Sequence, residues 1–105
     1  MTATVVVQPE AEADLDEAFR WYEARKPGLG TEFLVEIDRV LIRVAEHPEL
    51  HPEGYRRTRR TVVRRFPYVV LYLYRDETVF ILAVLHHRRD PRVFRKRSRD
   101  ETRRT

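Results

Sequence analysis

Six consecutive residues, His86-His87-Arg88-Arg89-Asp90-Pro91, gather the chain's most reactive side chains at one point. Imidazoles titrate near neutrality and can give or take a proton. Guanidinium groups grip oxyanions in a planar, two-pronged geometry. The cluster therefore suits acid–base chemistry or plain anion binding. A histidine leaving a strand is more often structural, so His86 can equally orient the loop that carries Arg88, Arg89 and Asp90. Asp90-Pro91 reads as a turn that ends the strand, with the carboxylate bonding its own backbone or pairing with an arginine. A second concentration comes earlier: seven arginines and no acid lie between Tyr55 and Arg75. His47 and His51 have the spacing of a helical zinc pair, but Pro48 and Pro52 interrupt them and no third ligand is evident, so no metal is expected. Glycine-rich phosphate loops, nucleophile elbows and paired-carboxylate sites are absent from the sequence, and no nucleotide cofactor is expected.

The elements that must position these residues follow from periodicity. Ala3 to Val7 is a short β-branched run stopped by Pro9. Pro9 then opens a helix whose first turns hold Glu10, Glu12 and Asp14, favourable at the positive end of the dipole. Leu15, Ala18, Phe19 and Tyr22 form its apolar stripe. Pro27-Gly28 and Gly30 turn the chain into a second helix, from about Thr31 to Ala45, that must stop before His47-Pro48. Strands follow over Arg57–Phe66, Tyr68–Tyr74 and Thr78–Leu85, the last two joined by an Asp76-Glu77 turn. Val69, Leu71 and Leu73 are expected beneath the helices. Tyr68, Tyr72 and Tyr74, with Val70, are expected on the opposite side, as a docking groove or ordinary packing before base stacking. The predicted architecture is α+β and two-layered: βααβββ, a helical hairpin on a twisted antiparallel sheet. Residues 1–95 make one domain, and 96–105 a basic, flexible tail.

Charge is divided sharply along the chain. Residues 1–54 carry a net charge of −7 and residues 55–105 one of +11, within an overall +4. The basic half implies an acidic or polyanionic partner unless it is simply a solvated face. With no cysteine, disulfides and thiolate chemistry are excluded. Neither a signal-peptide pattern nor an apolar run of membrane-spanning length occurs, so a cytoplasmic protein without membrane contact is expected.

The ordered motifs resemble the RelE/ParE superfamily of bacterial type II toxin–antitoxin modules, most closely the ParE-like branch often labelled plasmid stabilisation proteins. They are Ala13-Asp14-Leu15 with Ala18, Trp21-Tyr22-Glu23, Pro27-Gly28-Leu29-Gly30 before Phe33-Leu34, and His47-Pro48. Arg64-Arg65-Phe66-Pro67-Tyr68 with Tyr72 follows, and then Ala83-Val84-Leu85-His86-His87-Arg88-Arg89-Asp90-Pro91, so that the likeness spans roughly residues 5–95. The resemblance implies a toxin neutralised by an antitoxin in a hetero-oligomer. It also implies one of two targets: ParE-like members poison DNA gyrase, and RelE-like members cleave messenger RNA on the ribosome. RelE-like nucleases place an arginine in the central strand, where this chain has Val69 and Val70, and often a tyrosine beyond the last strand, where it has Val93-Phe94. A gyrase-binding toxin without enzymatic activity is therefore the leading expectation. The alternatives are a messenger RNA endonuclease built from Arg60, Arg64, His86 and Arg88, or a degenerate antitoxin-binding module. Arg57, Arg60, Arg64, Tyr68, Tyr72, His86, Arg88 and Arg89 are the expected contacts with antitoxin or target.

Overall fold

The apolar runs fold close to where their periods place them. The computed structural model describes residues 2–104. In chain order the elements are β1 (Thr4–Val7), α1 (Pro9–Arg25), α2 (Leu29–Glu46), a 3₁₀ turn (Tyr55–Arg57), β2 (Arg59–Val62), β3 (Tyr68–Arg75), β4 (Thr78–His86) and α3 (Pro91–Arg104). Asp76 and Glu77 both take positive φ, 51° and 58°, the mirror-image turn that matches strand twist in a two-residue hairpin.

The sheet order is β1-β4-β3-β2. The pairs β2/β3 and β3/β4 are antiparallel, but β1 lies parallel to β4, Thr4 opposite Thr78 through Val7 opposite Ile81. The sheet is thus mixed rather than antiparallel. β1 is held from both ends, since the Ala3 N–H donates to the Ala45 carbonyl at the close of α2 and the Gln8 N–H to the Ile81 carbonyl.

The helical hairpin turns at Gly28, whose φ of 89° suits glycine. Glu23 of α1 reaches across the turn, and its two carboxylate oxygens accept the Gly28 and Gly30 N–H groups, each at 2.9 Å. One side chain of α1 therefore satisfies donors that open α2. At Gly30 the helices touch: a Cβ there would lie 2.7 Å from the Phe19 ring and 2.8 Å from the Phe19 carbonyl oxygen.

Two apolar clusters sandwich the sheet. Beneath the hairpin, Ala11, Ala18, Tyr22, Phe33, Ile37, Val40 and Val44 pack on Val70, Tyr72, Val79, Ile81 and Val84. On the other face, Leu71, Leu73, Leu82, Ala83 and Leu85 close around Phe94 of α3. The two faces of β3 are therefore the reverse of the expected ones. Tyr72 is fully buried below the hairpin, where its hydroxyl donates to the Pro48 carbonyl at 3.1 Å. It offers no docking or stacking surface.

A bulge contributes to this arrangement. Leu71 opposes Ala83 but Tyr72 opposes Ile81, so Leu82 is an extra residue without a partner on β3. The bulge shifts the alternation of β4, placing Val84 on the hairpin side and both Ala83 and Leu85 on the other.

The expected flexible tail is instead most of α3; only its last residue, Thr105, lies outside the described residues. Asp90 and Pro91 start the helix as cap and first residue: the Arg92 N–H donates to Asp90 Oδ1 at 2.9 Å, and the Val93 N–H to the Asp90 carbonyl. Phe94 is buried against the sheet, and Arg97 is anchored by Asp14 of α1. Arg97 Nη1 donates to Asp14 Oδ2 at 2.8 Å and to the Leu82 carbonyl at 2.9 Å, and Nη2 donates to Asp14 Oδ1 at 2.9 Å. Asp14 Oδ2 also accepts the Val84 N–H at 3.0 Å. Asp14→Ala would leave the Arg97 guanidinium without its carboxylate and the Val84 N–H without an acceptor. We expect a loss of about 3–5 kcal/mol in urea unfolding, with the helical signal of α3 reduced in the native baseline.

Candidate functional site

Where α1 passes over the start of β3 and the end of β4, a cavity of about 390 Å³ opens to solvent. Its floor is the end of an aromatic cluster. Tyr22 stacks on Phe33 at 5.4 Å between ring centres, Phe66 meets both edge-on at 4.9 and 5.2 Å, and Tyr68 stands 5.1 Å from Phe33. Such edge-to-face contacts fix ring orientations as well as burying area. Burial raises the pKa of both the Tyr22 and the Tyr68 hydroxyl, so both remain neutral donors at physiological pH.

The cavity walls carry opposite charges. Asp14 and Glu17 come from α1, and His86 and Arg89 from the strand exit. His86 packs edge-on to Tyr68 at 5.7 Å and stacks on His87 at 4.8 Å. Its Nδ1 accepts the Arg88 N–H at 3.1 Å, while the His87 N–H donates to the Pro67 carbonyl. The dihistidine thus organises the turn bearing Arg88 and Arg89. Trp21 forms the outer lip, half exposed, with the Arg25 guanidinium 3.3 Å above its ring.

Of the residues expected to act together, only Tyr68, His86 and Arg89 line this cavity. Arg88 is exposed beside it. Arg60 lies on the far face of the sheet, its guanidinium 4.5 Å above the Phe94 ring, and so is separated from His86 by the sheet itself. Arg57 sits at the opposite end of β2, 3.6 Å from Glu53. Arg64 is exposed just past β2, and Tyr72 is buried. The four candidate nuclease residues are not brought around one point.

Other arginines of the basic half hold the fold. Arg59 donates from Nη1 to the Glu49 and His51 carbonyls, the latter bond 2.5 Å long, and so ties the 47–54 loop to β2. Arg65 has a φ of 71° and bonds Glu32 at 3.1 Å, with Glu36 at 3.8 Å. Sequence reasoning missed Glu17 as a wall and Asp14 as an anchor. Asp14 in fact lies three and four residues from Ala11 and Ala18, on the buried stripe of α1, which was a readable sign of a buried carboxylate. Among the described residues no group of three His, Asp or Glu side chains is placed to hold a metal ion.

With this geometry in view, three comparisons bear on the chain. Residues 5–91 match the family described as the ParE toxin of the type II toxin–antitoxin system, parDE. Toxin ParE2 of Mycobacterium tuberculosis is 32% identical over 92 residues, covering 87% of this chain and 88% of the relative, in both strain CDC 1551 / Oshkosh and strain H37Rv. A solved structure described as the chromosomal ParDE TA system from P. aeruginosa superposes with a TM-score of 0.72 at 15% identity, covering 81% of this chain and 96% of that one. The last is a likeness of fold.

At the edge of the site, Arg92 holds the Asp90 carboxylate with a side-chain bond as short as 2.7 Å and lowers its pKa from 3.8 to about 2. A depressed carboxylate adds stability above its unfolded pKa and loses that contribution as pH falls through the folded value. The Asp90 carboxyl carbon should therefore titrate near pH 2 by NMR, returning toward 3.8 in Arg92→Ala, and α3 should begin to fray only in that acid range.

Proposed function

The chain belongs to the ParE toxin family of type II toxin–antitoxin systems, and from that premise we propose that it arrests growth by binding DNA gyrase and is silenced by a cognate antitoxin. The observation that carries a binding role over a catalytic one is the division of Arg60 from His86 by the sheet. Cleavage of RNA needs cations and a proton donor or acceptor around one phosphate. Here the histidine faces the cavity beside Tyr22 and Tyr68, and Arg60 covers Phe94 of α3 on the other side of the sheet. The positions that differ from the nuclease pattern support the same reading: Val69 is partly buried and Val70 fully buried in the sheet, and Phe94 is 2% exposed beneath α3.

The antitoxin is proposed to be acidic where it meets this chain. Arg57, Arg60, Arg64, Arg88 and Arg89 are all exposed, and acid-rich segments that fold on binding suit such surfaces. Action in the cytoplasm is part of the proposal, and among the described residues no helix is long and apolar enough to cross a membrane.

Purified protein should stall gyrase supercoiling or accumulate gyrase–DNA cleavage complexes while ribosome-bound messenger RNA stays intact. New codon-level cuts in that RNA, abolished by His86→Ala or Arg88→Ala, would replace this reading with the nuclease one. The antitoxin surface has its own test. Replacing both Arg60 and Arg64 by Glu should weaken the complex with the product of the adjacent reading frame by about 2–5 kcal/mol, measured by calorimetry, with the unfolding midpoint unchanged. Undiminished binding would move the interface elsewhere.

A further inference from the structure

β2 is an edge strand of the sheet, and its outer side is open. It pairs with β3 through Arg59 opposite Tyr72 and Thr61 opposite Val70, and the Val63 N–H continues the ladder to the Tyr68 carbonyl. Alternation along an antiparallel strand then turns the N–H and C=O groups of Arg60 and Val62 away from β3. Val62 is 70% exposed, the most exposed of the large apolar residues among those described. Arg57, Arg60 and Arg64, all exposed, line the same edge.

From this we infer that β2 receives an extended, acidic segment of the antitoxin as an additional strand, an inference that rests on the toxin–antitoxin reading above. Strand addition satisfies the outward groups of Arg60 and Val62 with up to four main-chain hydrogen bonds. Side chains of the added strand next to Arg60 and Arg64 are carboxylates, and an apolar one lies against Val62, because opposed cross-strand pairs of these kinds attract. Charge selects this occupant over a second copy of the chain, which would set the arginines of one β2 against those of the other. β1, the opposite edge strand, reads Thr-Val-Val-Val and carries no base to select an acidic segment. The exposed apolar edge is otherwise a liability for aggregation, and an incoming strand removes it.

The test is a proline that a peripheral strand accepts only where its N–H faces outward. Co-expressed with the product of the adjacent reading frame and purified as a complex, Val62→Pro should keep the native unfolding midpoint but bind at least about tenfold more weakly, the worth of one main-chain bond and the contacts beside it. Val62→Thr, which keeps the N–H and the β-branched shape, should bind within about threefold of the parent. Hydrogen exchange on the unmodified complex gives a readout independent of folding in the variant: the amides of Arg60 and Val62 should become protected on binding. A complex that forms while both amides exchange as in the free toxin, or that tolerates proline at 62, overturns strand addition and leaves the toxin–antitoxin reading standing. Failure of the unmodified protein to hold the adjacent product overturns both.

Discussion

One buried ion pair, Asp14 with Arg97, decides how the layers of this domain are joined. β1 is four residues long and pairs with β4 only as far as Ile81. Beyond that point the edge of β4 would be left with the Val84 N–H and the Leu82 carbonyl unpaired inside the protein, each costly to leave bare. α1 supplies a carboxylate for the donor, α3 supplies a guanidinium for the acceptor, and the two charges satisfy each other. A buried pair of this kind gains little net stability over an apolar replacement, because both ions lose their water. Its value lies in geometry: it completes a strand edge and fastens a helix to each side of the sheet. The bond from Arg97 to Asp14 raises the already high pKa of the guanidinium further, so the guanidinium stays charged at any pH a cell meets. A second tie, from Gln8 Nε2 to Glu101 at 2.7 Å, joins the end of β1 to α3.

Partition of the arginines follows from that framework. A basic half with a charge of +11 suggests a single cationic surface, but the fold consumes part of it internally. Arg59 ties down a loop, Arg65 bonds α2, and Arg97 lies between α1 and β4. Of the others, Arg57, Arg60 and Arg64 lie along the open edge at β2, and Arg88 and Arg89 at the strand exit near His86. Each of these local surfaces can meet acidic side chains without competing for the residues that hold the fold together. Exposed pairs such as Arg57 with Glu53 contribute little to stability, so they can be exchanged for contacts with a partner at small cost.

Element positions were legible because helical and strand periods differ, and because Pro9, Pro48 and the Asp76-Glu77 turn punctuate the chain. Which face of β3 lies under the hairpin was not. Tyr-Val-Val-Leu-Tyr-Leu-Tyr is apolar on both faces, and a strand covered on both sides has no polar face to give its orientation away. The expectation that Tyr72 faces away from the helices failed, because its ring packs beneath them and its hydroxyl finds the Pro48 carbonyl. α3 was obscured for the opposite reason, since Val93 and Phe94 are its only large apolar residues and nine of its fourteen are charged. The start signal was present in Asp90-Pro91, but it serves equally to end a strand, and the contacts that let so polar a helix pack, the Asp14 carboxylate and the apolar face around Phe94, lie elsewhere in the chain. The parallel placement of β1 depends on hydrogen bonds to residues more than seventy positions away, and no local period carries that information.

The candidate site mixes residues that can vary with residues that cannot. Asp14 lines the cavity but is also the anchor of α3; Tyr22 and Tyr68 line it but belong to the aromatic core. Changes at these positions alter stability and surface together, so a loss of binding there says little about contact. Trp21, Glu17 and Arg89 present exposed surface to the same opening. Recognition that must change between toxins of one fold is most easily written in these three, since a new side chain there meets solvent or a partner and leaves the buried pair and the sheet as they are. The domain thus separates two tasks within about 390 Å³ of space: a floor fixed by the fold and a rim open to selection.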